Sequence, residues 1–171
     1  AGYSATSAPL VINDLVITGI SGGEYGARGF IDAYEVSSGK HVWRRFVVPA
    51  AGEPGVETWE GDSWQTGGGP SWATGTYDVE TGLLYWPTGN PSPDWNGDSR
   101  GGDNLFTNSV LALEPETGEM SWYFQFTPHD IWDYDVSNRV LFVEPSEFCV
   151  EFLWSICCHF SWSFFWFLVG D

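Results

Sequence analysis

Three oxygen-bearing side chains, Glu24, Asn90 and Asp133, each sit just past a β-rich run or in a long polar loop. Oxygen-only ligands suit a hard cation such as calcium. Asp135 follows Asp133 by two residues, and in an extended stretch such side chains point to the same side. Two carboxylates on one side repel unless a cation or a proton lies between them. A carboxylate held beside a cation can also act as a general base towards an alcohol hydroxyl. The plainer alternative is a solvated acidic loop, the commoner fate of Asp-rich stretches. The preceding run, Thr127-Pro128-His129-Asp130-Ile131-Trp132, is more specific than such a loop requires.

Two glycine-containing stretches offer the complementary chemistry. Ser21-Gly22-Gly23 follows a β-rich run and leads directly into Glu24. Glycine tolerates positive φ and exposes backbone N–H groups, so this stretch can face an anionic, oxygen-rich ligand while Glu24 faces a cation. An ordinary turn is the alternative. Gly67-Gly68-Gly69-Pro70-Ser71-Trp72 places three glycines next to a tryptophan, where they are expected to clear space beside it. The reading is either a stacking platform for a planar ligand or a core tryptophan behind a turn. His129, between Pro128 and Asp130, reads as a structural hydrogen-bonding residue, and His41 and His159 belong to no constellation.

The elements that must position these groups are short strands. Residues 8–13, 15–20, 29–35 and 40–48 read as four antiparallel strands in a meander, with turns at Asn13-Asp14 and Ser37-Ser38-Gly39. Residues 49–70, rich in Pro and Gly, read as an inserted loop. A second set follows at 71–78, 83–88, 109–114 and 119–126, with a long polar loop over 89–108. The sets repeat: Ala33, Gly39 and Trp43 are spaced as Ala112, Gly118 and Trp122 are. A repeated four-stranded unit is the mark of a β-propeller blade. Each Trp of the repeat is expected to dock flat between adjacent sheets. Two blades cannot close a ring, and closure is what removes open edges, so the chain is expected to be part of a larger propeller.

Composition agrees with an all-β protein. The 171 residues suffice for one domain, tryptophan and glycine are abundant, and lysine is scarce. The formal charge of −17 argues against nucleic acid and anionic membranes as partners. The first residues carry no signal-peptide pattern, so the chain is read as mature or as a piece of something longer. Cysteine is absent before Cys149, which excludes a disulfide framework over most of the chain.

The pattern changes after Asn138. Residues 148–169 are crowded with Phe and Trp and lack a period of two. The run is nearly long enough to span a bilayer, but Glu151, His159 and several serines interrupt it, so no firm membrane span is expected. Residues 139–171 are read first as a segment foreign to the fold, such as the product of a shifted reading frame. A hydrophobic tail is the second reading and a membrane span the third. The adjacent Cys157 and Cys158 are read as idle thiols.

Over roughly residues 1–138 the chain resembles the pyrroloquinoline-quinone (PQQ)-dependent alcohol dehydrogenases of the methanol/ethanol type. The resemblance rests on Ser21-Gly22-Gly23-Glu24, Thr66-Gly67-Gly68-Gly69 with Trp72, Gly89-Asn90-Pro91, Gly102-Asp103-Asn104, and Thr127-Pro128-His129-Asp130 with Trp132-Asp133. These occur in the family's order and at compatible spacings. The two Gly-to-Trp hairpins also match the family's tryptophan docking motifs. The resemblance implies about two four-stranded blades (8–48 and 71–126) of an eight-bladed propeller in the bacterial periplasm. It further implies that Trp72 is the floor on which PQQ stacks, and that Thr6, Ser21, Gly22 and Gly23 contact the quinone. Glu24, Asn90 and Asp133 would bind the metal, with Asp133 also the general base. An acid at the position of Asp135 resembles the lanthanide-dependent members, so a lanthanide ion is expected, with calcium as the alternative. A third negative charge near the ion suits a trivalent cation.

The implied reaction is oxidation of a small primary alcohol to its aldehyde, with a cytochrome c as electron acceptor, and the resemblance implies a homodimer for the full-length parent. A quinoprotein sugar dehydrogenase is the runner-up. A non-catalytic envelope scaffold is the alternative from another class, and it has no reason to keep Glu24, Asn90, Asp133 and Trp72 together. The family's adjacent-cysteine disulfide lies upstream of this chain, so Cys157-Cys158 is not equated with it. Further quinone contacts, acidic upstream and basic downstream, also lie outside the chain, which is therefore not expected to bind quinone tightly or act by itself.

Overall fold

Eight short strands form two antiparallel meanders in the computed structural model, which describes residues 2–136. The expected tail over 139–171 and its cysteines lie outside the described residues. The first sheet runs β1 (Leu10–Ile12), β2 (Leu15–Gly19), β3 (Phe30–Glu35) and β4 (His41–Phe46) in that spatial order. The second runs β5 (Thr76–Tyr77), β6 (Leu84–Pro87), β7 (Ser109–Leu113) and β8 (Met120–Gln125). Apart from strands, regular structure among the described residues is confined to short 3-10 turns. None of their helices is long and apolar enough to cross a membrane.

Local chemistry sets the turns. Asn13 takes a left-handed conformation (φ 52°) and lets Ile12 pair with Leu15. Asparagine tolerates that region better than most side chains. Gly39 and Gly118, each at φ 70°, close the two longer hairpins by donating their N–H groups to Glu35 and Glu114. The sequence repeat reappears at the level of register. Ala33 pairs with Trp43 and Ala112 with Trp122, and each ladder shifts register immediately after that alanine.

Period-two alternation directs one face of each sheet inwards. Ile12, Ile17, Ile31, Ala33 and Trp43 of the first sheet meet Leu84, Trp86, Leu111 and Leu113 of the second in a single buried cluster. Trp43 binds the sheets together. Its indole N–H donates to the Pro115 carbonyl at 2.8 Å, and its ring covers Gly118 so closely that a Cβ there would lie 2.6 Å from it. Trp122 holds the matching place on the second sheet, and no further sheet among the described residues lies against it. It lies on the outward face of the second sheet, 43% exposed, against Tyr85 at 5.5 Å. Tyr123, Phe124 and Phe126 nearby are exposed as well.

Two expectations are corrected. The strand expected over 71–78 shrinks to Thr76–Tyr77, because Ser71 bonds to the first sheet instead. Its N–H donates to Ile20 and its hydroxyl to Phe30. Gly67-Gly68-Gly69 does not clear space beside Trp72. Those glycines pack against other groups, namely Trp59, Ser92 and Val47. Their backbone also joins the sheet to the polar loop, since Gly29 N–H donates to Gly68, Gly69 N–H to Asn90 and Ser92 N–H to Gly67.

Candidate active site

A pocket of about 430 Å³ opens where the first sheet, the 67–72 stretch, the polar loop and the 127–135 segment meet. Thr6, Ser21, Gly22 and Glu24 line it from the N-terminal side, and Pro70 and Trp72 from the connecting stretch. Asn90 and Asp94 come from the polar loop, and Asp133 and Asp135 from the last segment. Every site residue named from sequence lines this pocket except Gly23. Gly23 begins a 3-10 turn behind it, and a Cβ there would stand 2.8 Å from Pro70.

Gly22 takes a left-handed φ of 111° and leads into the 3-10 turn that carries Glu24, which is exposed. Ser21 is tied back to the N-terminal segment. It exchanges backbone hydrogen bonds with Ser4, and the two hydroxyls lie 3.0 Å apart. Glu24 therefore sits on backbone that leaves the first sheet and is tied to the N-terminal segment.

The polar loop is fixed by a buried cation. Arg100 is fully buried, and its guanidinium donates to the Pro93 carbonyl (3.0 Å), the Asp94 carbonyl (3.1 Å), the Asn104 side-chain oxygen (2.8 Å) and the Asp130 carbonyl. It thus fastens the backbone at Asp94 to that at Asp130. Asn90 is buried, and its side-chain Nδ2 donates to Asp94 at 2.8 Å.

Asp133 and Asp135 reach the pocket by a route other than the extended one expected. Asp133 is left-handed, at φ 63°. Asp130, fully buried, accepts the N–H groups of Trp132 (2.9 Å) and Tyr134 (2.7 Å) and the Asn108 amide (2.9 Å). This local turn replaces an extended ladder. His129 Nδ1 meets the Gly102 carbonyl at 2.8 Å, a structural contact outside the pocket lining.

Electrostatics mark the pocket as a place for positive charge. Burial pushes the Asp135 carboxyl above the ordinary carboxylate range, against the Asn90 N–H (3.0 Å) and the Trp72 indole, which favour its charge. The Asp133 and Asp130 charges push it further up. Asp94 is raised likewise, by burial first and then by Asp133 and Glu24, against the opposing effect of Asn90. Crowded carboxylates of this kind are relieved by a cation. Among the described residues no three acidic, imidazole or thiolate groups converge into a closed metal cluster. The donor set is instead open and mixed, with the Asn90 amide among carboxylates on a pocket wall shared with Trp72. Asp94 and Arg100 were not singled out by the sequence, where they are polar residues of a long loop, and Asp130 was named only as part of the 127–132 run, without a role of its own.

Residues 1–146 match the family described as "Glucose/ethanol/alcohol dehydrogenase, beta-propeller domain", whose short name is PQQ. The chain belongs to this family. Its two four-stranded sheets are accordingly blades of a PQQ-family β-propeller. The chain is 43% identical over 157 residues to the quinoprotein alcohol dehydrogenase PedH of Pseudomonas putida, covering 82% of this chain and 26% of that protein. It is 42% identical over 164 residues to the methanol dehydrogenase [cytochrome c] subunit 1 of Paracoccus denitrificans, covering 85% and 26%. With the lanthanide-dependent methanol dehydrogenase of Methylorubrum extorquens it shares 38% over 161 residues, covering 84% and 27%. Among solved structures, a europium-containing methanol dehydrogenase superposes with a TM-score of 0.75 at 38% identity, covering 80% of this chain and 27% of that one. The chain thus spans about a quarter of the length of the curated relatives it matches.

Proposed function

We propose that this pocket is the PQQ and metal site of an alcohol dehydrogenase, to which the chain contributes two blades. The observation that carries the reading is the convergence in one pocket of Glu24, Trp72, Asn90 and the Asp133/Asp135 pair, from four separate stretches of the sequence. The donor chemistry fits the group. Carboxylates and an amide oxygen suit a hard cation, and a half-buried tryptophan offers an apolar face to a planar ring.

PQQ, when bound, supplies the hydride acceptor, and the metal acts as a Lewis acid. The chain's residues do the rest. Glu24, Asn90, Asp133 and Asp135 hold the cation, Thr6, Ser21 and Gly22 meet the quinone's polar edge, and Gly23 supports that turn. Trp72 orients the quinone ring. The Asp133 carboxylate takes the hydroxyl proton of a small primary alcohol as the carbon loses hydride, which leaves the aldehyde.

A lanthanide ion is the proposed metal. Asp135 adds a carboxylate to the same wall as Asp133, and two relatives are named for lanthanides. A cytochrome c is the proposed electron acceptor, consistent with the name of the Paracoccus relative. The periplasm is the proposed location and a homodimer the proposed state of the complete protein, as the family resemblance implies.

The test is dye-linked alcohol oxidation by the complete protein, reconstituted with PQQ and either lanthanum or calcium, with Asp135→Ala alongside and glucose as a second substrate. The reading expects PQQ-dependent alcohol oxidation that lanthanum supports and Asp135→Ala abolishes. Equal activity with calcium and no effect of the substitution would remove the lanthanide assignment. Oxidation of glucose in place of alcohols would favour the sugar dehydrogenase, and no oxidation under any combination would overturn the enzyme reading.

A further inference from the structure

An asparagine serves a cation only when its oxygen, and not its NH2, faces the ion. Side-chain amides can present either end, and the hydrogen-bond network decides which. In this pocket the decision is made by the loop that carries the residue. The Asn90 Nδ2 donates to the Asp94 carboxylate at 2.8 Å and lies 3.4 Å from the Pro91 carbonyl. Both partners accept, so an amide oxygen placed there would meet two oxygens, and the observed orientation is favoured.

Asp94 is itself held in place. Arg100 donates to the carbonyls of Pro93 and Asp94, and through Asp130 it fastens the same loop to the segment carrying Asp133. Asn90 has little freedom to swing away, since its N–H donates to Asp135 and its carbonyl accepts from Gly69. The side chain is buried with its NH2 on Asp94, which leaves Oδ1 as the end available to an ion in the pocket.

We propose that Asp94 is a positioning residue for the metal site: its carboxylate holds the Asn90 NH2 and thereby presents the Asn90 oxygen to the cation. This rests on the cation reading of the pocket. Asp94 acts through Asn90, as hydrogen-bonded partners of metal ligands generally do.

The test is terbium(III) luminescence titration of the complete protein without quinone, comparing the parent with Asp94→Ala, Asp94→Leu, Asp94→Asn and Asn90→Ala. Thermal unfolding of each variant shows which are folded, and either of the two apolar variants suffices. Asp94→Ala and Asp94→Leu remove the acceptor and should weaken terbium binding about 10- to 100-fold. Asp94→Asn keeps an acceptor oxygen without the charge and should bind close to the parent. The proposal is overturned if the apolar variants bind as the parent does. It is equally overturned if Asp94→Asn is as weak as they are, since charge alone would then explain the loss. Asn90→Ala separates the two levels. If it binds terbium as the parent does, the cation reading itself fails, whereas a weak Asn90→Ala beside an unaffected Asp94→Ala leaves that reading intact and removes only the role of Asp94.

Discussion

The Asp130 carboxylate accepts the Tyr134 N–H at 2.7 Å, and this bond shapes the turn that sends Asp133 and Asp135 into one pocket. The same carboxylate takes the Trp132 N–H and the Asn108 amide. Asp130→Asn keeps the size but places an NH2 against one of these donors. Leaving a buried donor without an acceptor costs about 1–3 kcal/mol. The larger effect is expected on turnover, because a displaced catalytic group can cost about 100-fold in rate. Steady-state kinetics of the complete protein should show kcat falling by that order while thermal unfolding shifts only modestly. Unchanged kcat would mean that the turn does not position Asp133.

Asp133 itself is expected to be indispensable. General-base catalysis contributes about 100- to 10,000-fold. Asp133→Asn keeps an oxygen for the cation but cannot take a proton. Alcohol oxidation should fall within that range, with terbium binding weakened much less than turnover. Activity close to the parent would assign the base elsewhere.

The first blade carries an ion pair between buried Asp32 and exposed Arg44, with a defined pH signature. Asp32 is 2% exposed and accepts from Arg44 at 2.7 and 2.6 Å, from Tyr34 at 2.9 Å and from His41 at 3.2 Å. Burial alone would raise the Asp32 carboxyl, but the bonds from Arg44, Tyr34 and His41 outweigh it and hold it below the ordinary range. A group with a depressed folded pKa contributes stability above its unfolded pKa and loses it as pH falls towards the folded value. Stability should therefore decline on acidification from about pH 4 downwards. Asp32→Asn should cost about 1.5–3 kcal/mol at neutral pH, since it removes the buried charged acceptor of the Arg44 bonds. It should also flatten the acid limb. Denaturant unfolding across pH 2–7 checks both, and an unaltered acid limb would show that Asp32 does not set it.

Trp43 on Gly118 links the two blades. Alanine at position 118 would need a left-handed backbone and would place its Cβ 2.6 Å from the indole. Overpacking typically costs about 1–3 kcal/mol, and left-handed strain about 1–2 kcal/mol more. Gly118→Ala should lower the unfolding midpoint clearly, whereas Gly39→Ala, with the same φ and no neighbour, should show the backbone part alone. Equal effects at the two sites would argue against the contact.

The blades were legible because local chemistry and repetition agree there. Asn13 and Gly39 specify their turns, and the Ala-Gly-Trp offsets recur at 33, 39, 43 and 112, 118, 122 with the same cross-strand pairs. Glu24, Trp72, Asn90 and Asp133 were legible as candidates, and the structure brings them to one pocket. The remainder depended on long-range contacts. Ser71 leaves its expected strand to bond Ile20 and Phe30, which alternation cannot reveal. Asp94 and Arg100 read only as parts of a polar loop, and Asp130 only as part of a specific run with no role of its own, yet Arg100 and Asp130 are fully buried and all three organise the pocket. The extended geometry expected at Asp133 failed because Asp130 turns the backbone locally.

The most direct test of the site is diffraction from crystals of the complete protein loaded with PQQ and lanthanum, collected to locate the anomalous scatterer. A single strong lanthanum peak is expected, bounded by Glu24, Asn90, Asp133 and Asp135, with the quinone ring lying on Trp72. A lanthanum peak away from these four residues, or a quinone that leaves the Trp72 face bare, would contradict it.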